Sequence, residues 1–189
     1  MPALTRQTPD KRLLSIRDLT LTRGHKVLFS GVSFDIVESQ LAWVIGPNGS
    51  GKSSLLRSIC GFIRPQSGSI DVARDTISYL GHKNGLVGHE SAHAEAKFWG
   101  ARAEHPSNIP ISRLSAGQRK RIALDRLYAE ARPVWLLDEP YAALDDDAAG
   151  LLDGRLRAHL ADGGCAMVVS HAGMRSDLDV DATIRLSAT

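Results

Sequence analysis

A glycine-rich segment at residues 46–53 constrains the fold more than any other feature of the sequence. It reads Gly-Pro-Asn-Gly-Ser-Gly-Lys-Ser and stands between an apolar, strand-like run at residues 41–45 and a helical pattern at residues 52–60. In this context glycines let backbone N–H groups turn toward phosphate oxygens, and the start of the following helix adds a positive dipole. The pattern predicts a phosphate-binding loop made of Gly46, Pro47, Asn48, Gly49, Ser50 and Gly51.

Two side chains at the end of this loop carry the chemistry of a nucleoside triphosphate site. Lys52 can reach the β- and γ-phosphate oxygens, and the hydroxyl of Ser53 can ligate Mg²⁺. A glycine-rich turn that merely precedes a helix is the plainer alternative. The strand before the loop and the helix after it favour a ligand site.

The order of apolar and helical patterns predicts an α/β protein with a mainly parallel central sheet. Residues 13–22 and 32–37 differ, because apolar and polar residues alternate there around a turn-prone Arg-Gly-His; this predicts an antiparallel β-layer beside the main sheet. Further strands are predicted at residues 41–45, 69–72, 76–80, 134–137, 166–170 and 183–186. Helices are predicted at residues 52–60, at 90–104, from 115 onward and at 147–161.

Length and composition fit one globular domain, with 189 residues of which 43% are hydrophobic. We expect a loose tail at residues 1–12 and a single domain at 13–189, with a short helical subdomain at about 86–132. The net charge of +2 is too small to indicate a nucleic-acid partner. No apolar run approaches the roughly 20 residues that cross a bilayer, so a membrane role would require a partner.

Two adjacent acids, Asp138 and Glu139, follow the apolar run at residues 134–137. This places them at the carboxyl end of a buried strand, where open α/β sheets bind ligands. Neighbouring residues of a strand point to opposite sides, so one carboxylate can support Mg²⁺ while the other meets an attacking water. An acid pair at an ordinary loop or helix start is the alternative.

The segment Leu-Ser-Ala-Gly-Gln at residues 114–118 opens a helix. Ser115 and Gln118 form an S-x-x-Q capping box, which accounts for both residues without any ligand. Small residues at a helix start, here Ala116 and Gly117, also leave N–H groups open to an anion. Both interpretations stand on the residues alone.

Histidines occur at three further positions of interest. His171 follows the apolar run at residues 166–170, so we expect it near the same sheet edge, bonded to a γ-phosphate or water; a bystander histidine is the alternative. Residues 89–93 read His-Glu-Ser-Ala-His and fit the H-E-x-x-H zinc pattern. The longer metzincin pattern is not continued, because Ala96 and Trp99 occupy its next positions. A solvated histidine pair is therefore predicted, with a zinc protease site or an adventitious metal or heme contact as the alternatives.

Five motifs stand together in the order found in ABC-type ATPases, which the chain resembles over nearly its whole length. They are the loop at 46–53, Leu-Ser-Ala-Gly-Gln at 114–118, Leu-Leu-Asp-Glu-Pro at 136–140, Ala-Leu-Asp at 143–145 and Ser-His at 170–171. The resemblance implies a head-to-tail homodimer that encloses two ATP molecules with Mg²⁺. The segment Ser115, Ala116, Gly117 and Gln118 of one copy would face the γ-phosphate bound by the other.

The resemblance also implies roles for four single residues. Glu139 would polarise water, Asp138 would support Mg²⁺, His171 would be the switch histidine, and Asp145 would lie in the loop that crosses the dimer interface.

Two positions depart from the family pattern. Arg23 stands where an aromatic residue commonly stacks on adenine, and its guanidinium plane could stack instead. His82 stands where the family has a glutamine after the strand at residues 76–80. We expect His82 to contact Mg²⁺ or water.

Within the family, the segments at residues 79–86, 97–99, 114–124 and 133–140 resemble the heme exporter ATPases of bacterial cytochrome c maturation. This implies an ATP-hydrolysing subunit that works with integral membrane subunits, peripheral to the cytoplasmic face of the inner membrane. The ATPase subunit of another small ABC exporter, a non-transport ABC ATPase and a small-molecule phosphotransferase are the alternatives.

Overall fold

The computed structural model describes residues 11–100, 109–170 and 178–187, and its strands form two sheets. The strands are β1 Arg12–Arg23, β2 Lys26–Val37, β3 Leu41–Ile45, β4 Ser67–Asp71, β5 Ile77–Leu80, β6 Val134–Asp138, β7 Cys165–Val169 and β8 Ala182–Arg185. The helices are α1 Lys52–Ile59, α2 Ala92–Trp99, α3 Ala116–Glu130 and α4 Asp146–Ala161, with short 3₁₀ turns at Arg74–Thr76 and Ile111–Arg113.

The central sheet has five strands in the order β5-β6-β7-β3-β8, and every neighbouring pair is parallel. Parallel strands place all their carboxyl ends at one edge of the sheet. The phosphate loop leaves β3 and the acid pair stands at the end of β6, so both predicted motifs lie at this edge. The predicted mainly parallel sheet is confirmed.

Both faces of this sheet are covered, as the unbroken apolar sequence of its strands requires. In β6, Val134 and Leu136 belong to the core shared with α1, whereas Trp135 and Leu137 pack with α3 and α4. Alternation along one strand therefore supplies two separate apolar layers, and α1 lies between the central sheet and the second sheet.

The second sheet is antiparallel, in the order β2-β1-β4, and confirms the predicted β-layer. Its first strand begins at Arg12, which pairs with Val37. The strand predicted at residues 69–72 is β4 and joins this sheet instead of the parallel one.

A small separate core holds the helices between β5 and β6 together. It consists of Ala92, Ile111, Leu114 and Ile122, with Leu86 packed against them. In the described ranges, no helix is long and apolar enough to cross a membrane.

The bounds predicted for the helix at residues 90–104 are wrong at both ends. The side chain of Ser91 accepts a hydrogen bond from the Ala94 N–H at 3.1 Å, so the helix begins at Ala92. Gly100 adopts the left-handed conformation with φ 70° and ends it after Trp99. Residues 101–108 lie outside the described ranges.

Candidate functional site

The phosphate loop is held by close backbone contacts that only glycine permits. Gly46 has φ 154°, and a Cβ built there would lie 2.3 Å from the carbonyl oxygen of Leu186. Gly51 precedes α1 in the left-handed conformation, φ 96°, and a Cβ there would lie 3.1 Å from the ring of Phe29. The end of β8 and strand β2 therefore support the loop from two directions.

Two polar groups of the loop are suited to an anion. The Lys52 ammonium is buried and donates to the loop's own carbonyls, at 2.8 Å from Gly46 and 3.0 Å from Pro47. The Ser50 hydroxyl is buried, with no hydrogen-bond partner among the described residues. A buried cation beside an unsatisfied hydroxyl fits a phosphate group bound in this loop.

Ser53 and Asp138 are joined by a hydrogen bond, in which the hydroxyl donates to the carboxylate across 3.0 Å. Asp138 is the last residue of β6 and only 2% exposed. The phosphate loop and the acid strand thus meet at one point. A hydroxyl and a carboxylate oxygen are the hard ligands that Mg²⁺ takes, so these residues fit the predicted metal position.

Glu139, the second acid, has a left-handed backbone with φ 51°, which is uncommon for a residue other than glycine. Its N–H donates to the carbonyl of Val169 on the neighbouring strand β7, at 2.9 Å. Its own carbonyl accepts from the Ala142 N–H at 3.2 Å and from the Lys120 ammonium at 3.1 Å. Three separate partners, on both sides of its Cα, hold the backbone of Glu139 in this unusual conformation.

The predicted capping box at the start of α3 is confirmed. The Ser115 hydroxyl accepts from the Gln118 N–H at 3.2 Å, and the Gln118 side chain accepts from the Ser115 N–H at 2.9 Å. Ser115 and Ala116 are exposed. Both hydrogen bonds lie within the helix start, so the cap leaves an outward-facing surface of small residues.

Asp145 is the N-cap of α4, because its carboxylate accepts from the Ala148 N–H at 3.0 Å. The same carboxylate forms an ion pair with Arg121 of α3 at 3.1 Å. Asp145 thereby ties the loop after β6 to the helix that carries Ser115.

Within the described ranges, neither His82 nor Arg23 forms a hydrogen bond or ion pair with the phosphate loop or the acid pair. His82 is exposed in the turn after β5, beside the strand that carries Asp138. Arg23 is exposed at the end of β1. His171 lies outside the described residues.

The histidine pair at residues 89 and 93 does not share a helix face. Because α2 begins at Ala92, His89 stands in the turn before it, where it is exposed and 3.8 Å from a carboxylate oxygen of Glu90. His93 is exposed on α2. Within the described part of the chain, no three His, Cys, Asp or Glu side chains are grouped closely enough to hold a metal ion.

Sequence reasoning missed three residues that support the site. Lys120 contacts the backbone of Glu139, and Leu28 and Phe29 pack against Gly51. A lysine three residues after Gly117 lies on the same helix face as that glycine. This spacing is the signal that could have identified Lys120, whereas nothing local marks Leu28 or Phe29.

The comparisons with known proteins agree with this geometry. Residues 29–142 match the family model described as ABC transporter. The chain therefore belongs to the ABC transporter family, in the class that binds ATP. Its resemblance to ABC-type ATPases is confirmed.

Several relatives in this family are named cytochrome c biogenesis ATP-binding export protein CcmA. The protein of that name from Paracoccus denitrificans is 39% identical over 173 residues, covering 84% of this chain and 82% of its own. The one from Roseobacter denitrificans is 38% identical over 172 residues, covering 84% of each. The one from Hyphomonas neptunium is 36% identical over 188 residues, covering 91% of this chain and 96% of its own.

Solved structures confirm the fold. An ATP-binding subunit of an ABC transporter superposes with a TM-score of 0.77 at 19% identity, covering 84% of this chain and 79% of its own. A dimeric ATP-binding cassette in a post-hydrolysis state, bound to ADP and phosphate, superposes with a TM-score of 0.72 at 21% identity. It covers 84% of this chain and 88% of its own.

Proposed function

We propose that this chain is the ATP-hydrolysing subunit of an ABC transporter that serves c-type cytochrome biogenesis, with heme as its cargo. The observation that carries ATP hydrolysis is the hydrogen bond between Ser53 and Asp138. It joins a phosphate loop to an acid strand at the sheet edge where nucleotides bind. The names of the CcmA relatives support the role in cytochrome c biogenesis.

Each residue of the site has a role in this proposal. ATP supplies the phosphoanhydride to be hydrolysed, and Mg²⁺ would be held by Ser53 and Asp138. Lys52 would exchange its contacts with the loop carbonyls for phosphate oxygens. Glu139 would orient a water molecule and accept its proton. His82 is proposed to contact Mg²⁺ or water, and His171 is proposed to bond the γ-phosphate or the attacking water.

The active unit is proposed to be a homodimer, with the Ser115–Gln118 surface of one copy facing the phosphate bound by the other. Exposure of Ser115 and Ala116 supports this, since both residues are open to solvent in a single copy. Asp145 would lie at the interface. The domain at residues 13–189, which includes a short helical subdomain at about 86–132, would dock on integral membrane subunits at the cytoplasmic face of the inner membrane.

Exchange of Glu139 for glutamine tests the catalytic role. The phosphate loop is untouched, so Glu139→Gln should bind MgATP with unchanged affinity while its turnover falls by about a hundredfold or more. ATP affinity by calorimetry and phosphate release measure the two quantities. Glu90→Gln is the matched control, because Glu90 is exposed in a turn outside the site, and it should hydrolyse ATP like the wild-type chain. Undiminished turnover in Glu139→Gln would remove Glu139 from this role.

Co-expression with small integral membrane subunits tests the transport role. The complex should copurify, and loss of the chain should abolish assembly of holocytochrome c in cells. Restoration by the wild-type chain but not by Lys52→Ala is expected. Holocytochrome c formed equally well without the chain would separate the chain from this process, and equal formation with Lys52→Ala would separate its ATP hydrolysis from it.

A further inference from the structure

One face of α3 rests on the loop that follows β6. A Cβ at Gly117 would lie 2.7 Å from the carbonyl oxygen of Ala143. The Lys120 ammonium donates a hydrogen bond to the Glu139 carbonyl at 3.1 Å. Arg121 forms an ion pair with Asp145 at 3.1 Å. Positions three and four apart in a helix lie on the same face. A single helix face therefore contacts the loop near its start, its middle and its end.

Lys120 is the buried contact of the three. It is only 4% exposed, and its ammonium lies among the negative charges of Asp138 and Glu139. Burial lowers the pKa of Lys120, and the two carboxylates oppose that shift. A buried lysine needs a compensating partner, and the carbonyl of Glu139 provides it.

We propose that Lys120 is a positioning residue that holds the Glu139 peptide in its left-handed conformation and thereby aims the carboxylate at the attacking water. This inference rests on the proposed ATPase activity. The bond from Lys120 comes from the same helix as Ser115 and Gly117. If the second copy docks on the start of α3, a shift of this helix would move the Lys120 side chain and with it the backbone of Glu139. The phosphate loop would not have to change.

The geometry predicts that exchange of Lys120 lowers the rate of ATP turnover but not the affinity for MgATP. Lys120→Met keeps the length and apolar stem of the side chain but removes the donor and the charge. Its kcat should fall about ten- to hundredfold, the range expected when a hydrogen bond from a charged donor is lost. Its affinity for MgATP should stay within about threefold, because the phosphate loop is unaltered. Lys120→Arg keeps the charge and donors and should recover a large part of kcat.

The experiment measures kcat and the Kd for MgATP on the purified full chain, with Lys97→Met as the control. Lys97 is an exposed lysine on α2, and its exchange should change neither quantity. The inference is overturned if Lys120→Met turns over within twofold of the wild-type chain, or if kcat and affinity fall together. It is also overturned if Lys120→Arg is as slow as Lys120→Met.

Two further comparisons keep the outcome interpretable. If Lys120→Met does not fold, Lys120→Gln takes its place: it retains a neutral donor but no charge, and its kcat should fall below that of the wild-type chain. A wild-type kcat in Lys120→Gln would overturn the inference. A wild-type chain without ATPase activity would contradict the proposed function itself. An active wild-type chain matched by its Lys120 variants would contradict this inference alone.

Discussion

Gly117 shows how a single missing side chain sets the distance between α3 and the loop after β6. Alanine is normally better than glycine inside a helix. At this position, however, the added methyl group would meet the backbone of Ala143, which has no flexible end to move aside. Helix propensity therefore favours alanine at position 117, whereas the contact with Ala143 favours glycine. Because the gap is too short for a methyl group, we expect the contact to outweigh the propensity.

We predict that Gly117→Ala lowers the free energy of unfolding by about 1–3 kcal/mol, the usual cost of inserting a methyl group where there is no space. Gly150→Ala is the matched control on α4, where nothing lies within 4 Å of the new Cβ. It should raise the free energy of unfolding by about 0.5–1 kcal/mol. Urea unfolding measures both, and a stabilised Gly117→Ala variant would contradict the close contact.

Arg126 connects α3 to α2 and to the turn after β5. Its side chain is 13% exposed and lies 3.8 Å from the Glu95 carboxylate, which is 8% exposed and also accepts from Trp99. Its guanidinium donates to the carbonyls of Asn84 and Gly85. The helices between β5 and β6 share only a small apolar core. We therefore expect the hydrogen bonds and the ion pair of Arg126 to contribute much of the stability of their packing.

Removal of this arginine should be costly. Arg126→Ala leaves the Glu95 carboxylate buried without its cation, and we expect a loss of about 3 kcal/mol in the free energy of unfolding. Arg121→Ala is the comparison, because Arg121 and Asp145 are 48% and 58% exposed and their ion pair should contribute less than about 1 kcal/mol. Equal losses from the two variants, measured by urea unfolding, would show that burial does not govern these pairs.

The hairpin of β1 and β2 carries a pH-dependent pair. Arg17 donates to the Asp35 carboxylate at 2.7 Å and, with Ser15, lowers the pKa of Asp35 to about 2. A depressed pKa means that the pair's contribution to stability is present above the unfolded value, about 4, and is lost as the pH falls toward 2. Arg17→Met should raise the pKa of Asp35 toward its ordinary value but not fully to it, because the hydrogen bond from Ser15 remains; NMR titration of the carboxyl group measures this. Arg23→Met, at the far end of β1, should leave it near 2.

Elements were predictable where the signal is local. The alternation in β1 and β2, the apolar run of β6 and the capping box of α3 each express a preference that neighbouring residues satisfy. The start of α2 was mispredicted because Ser91 caps the helix later than the hydrophobic pattern suggests. The contacts of Lys120 and Arg126 join residues far apart in sequence, and no local pattern specifies such pairs.

The proposed head-to-tail dimer would make each site from two copies of the chain, and mixing two defective variants tests this directly. Lys52→Ala damages the phosphate loop, and Ser115→Arg damages the opposing surface. Each alone should be inactive. In a mixed dimer one site receives both intact parts, so an equal mixture should recover about a quarter of the wild-type turnover. A mixture as inactive as its components would show that one copy completes its own site.

The fold class and the phosphate site were accessible from sequence because their motifs are contiguous stretches at strand ends. The supports of that site were not. Leu28 and Phe29 reach Gly51 from the second sheet, and Leu186 reaches Gly46 from the last strand. Their positions depend on how two sheets enclose α1, which follows from packing of the entire chain.

The cap at the start of α3 has a consequence for how two copies would engage in the proposed dimer. In that cap the Ser115 oxygen serves as an acceptor, so the hydroxyl's own proton can still be donated elsewhere. An incoming phosphate would meet a donor that is already fixed in place, and the first turn of the helix need not unwind to release it. In the proposed dimer, the hydrogen bonds of the cap and a hydrogen bond from Ser115 to phosphate would then exist together.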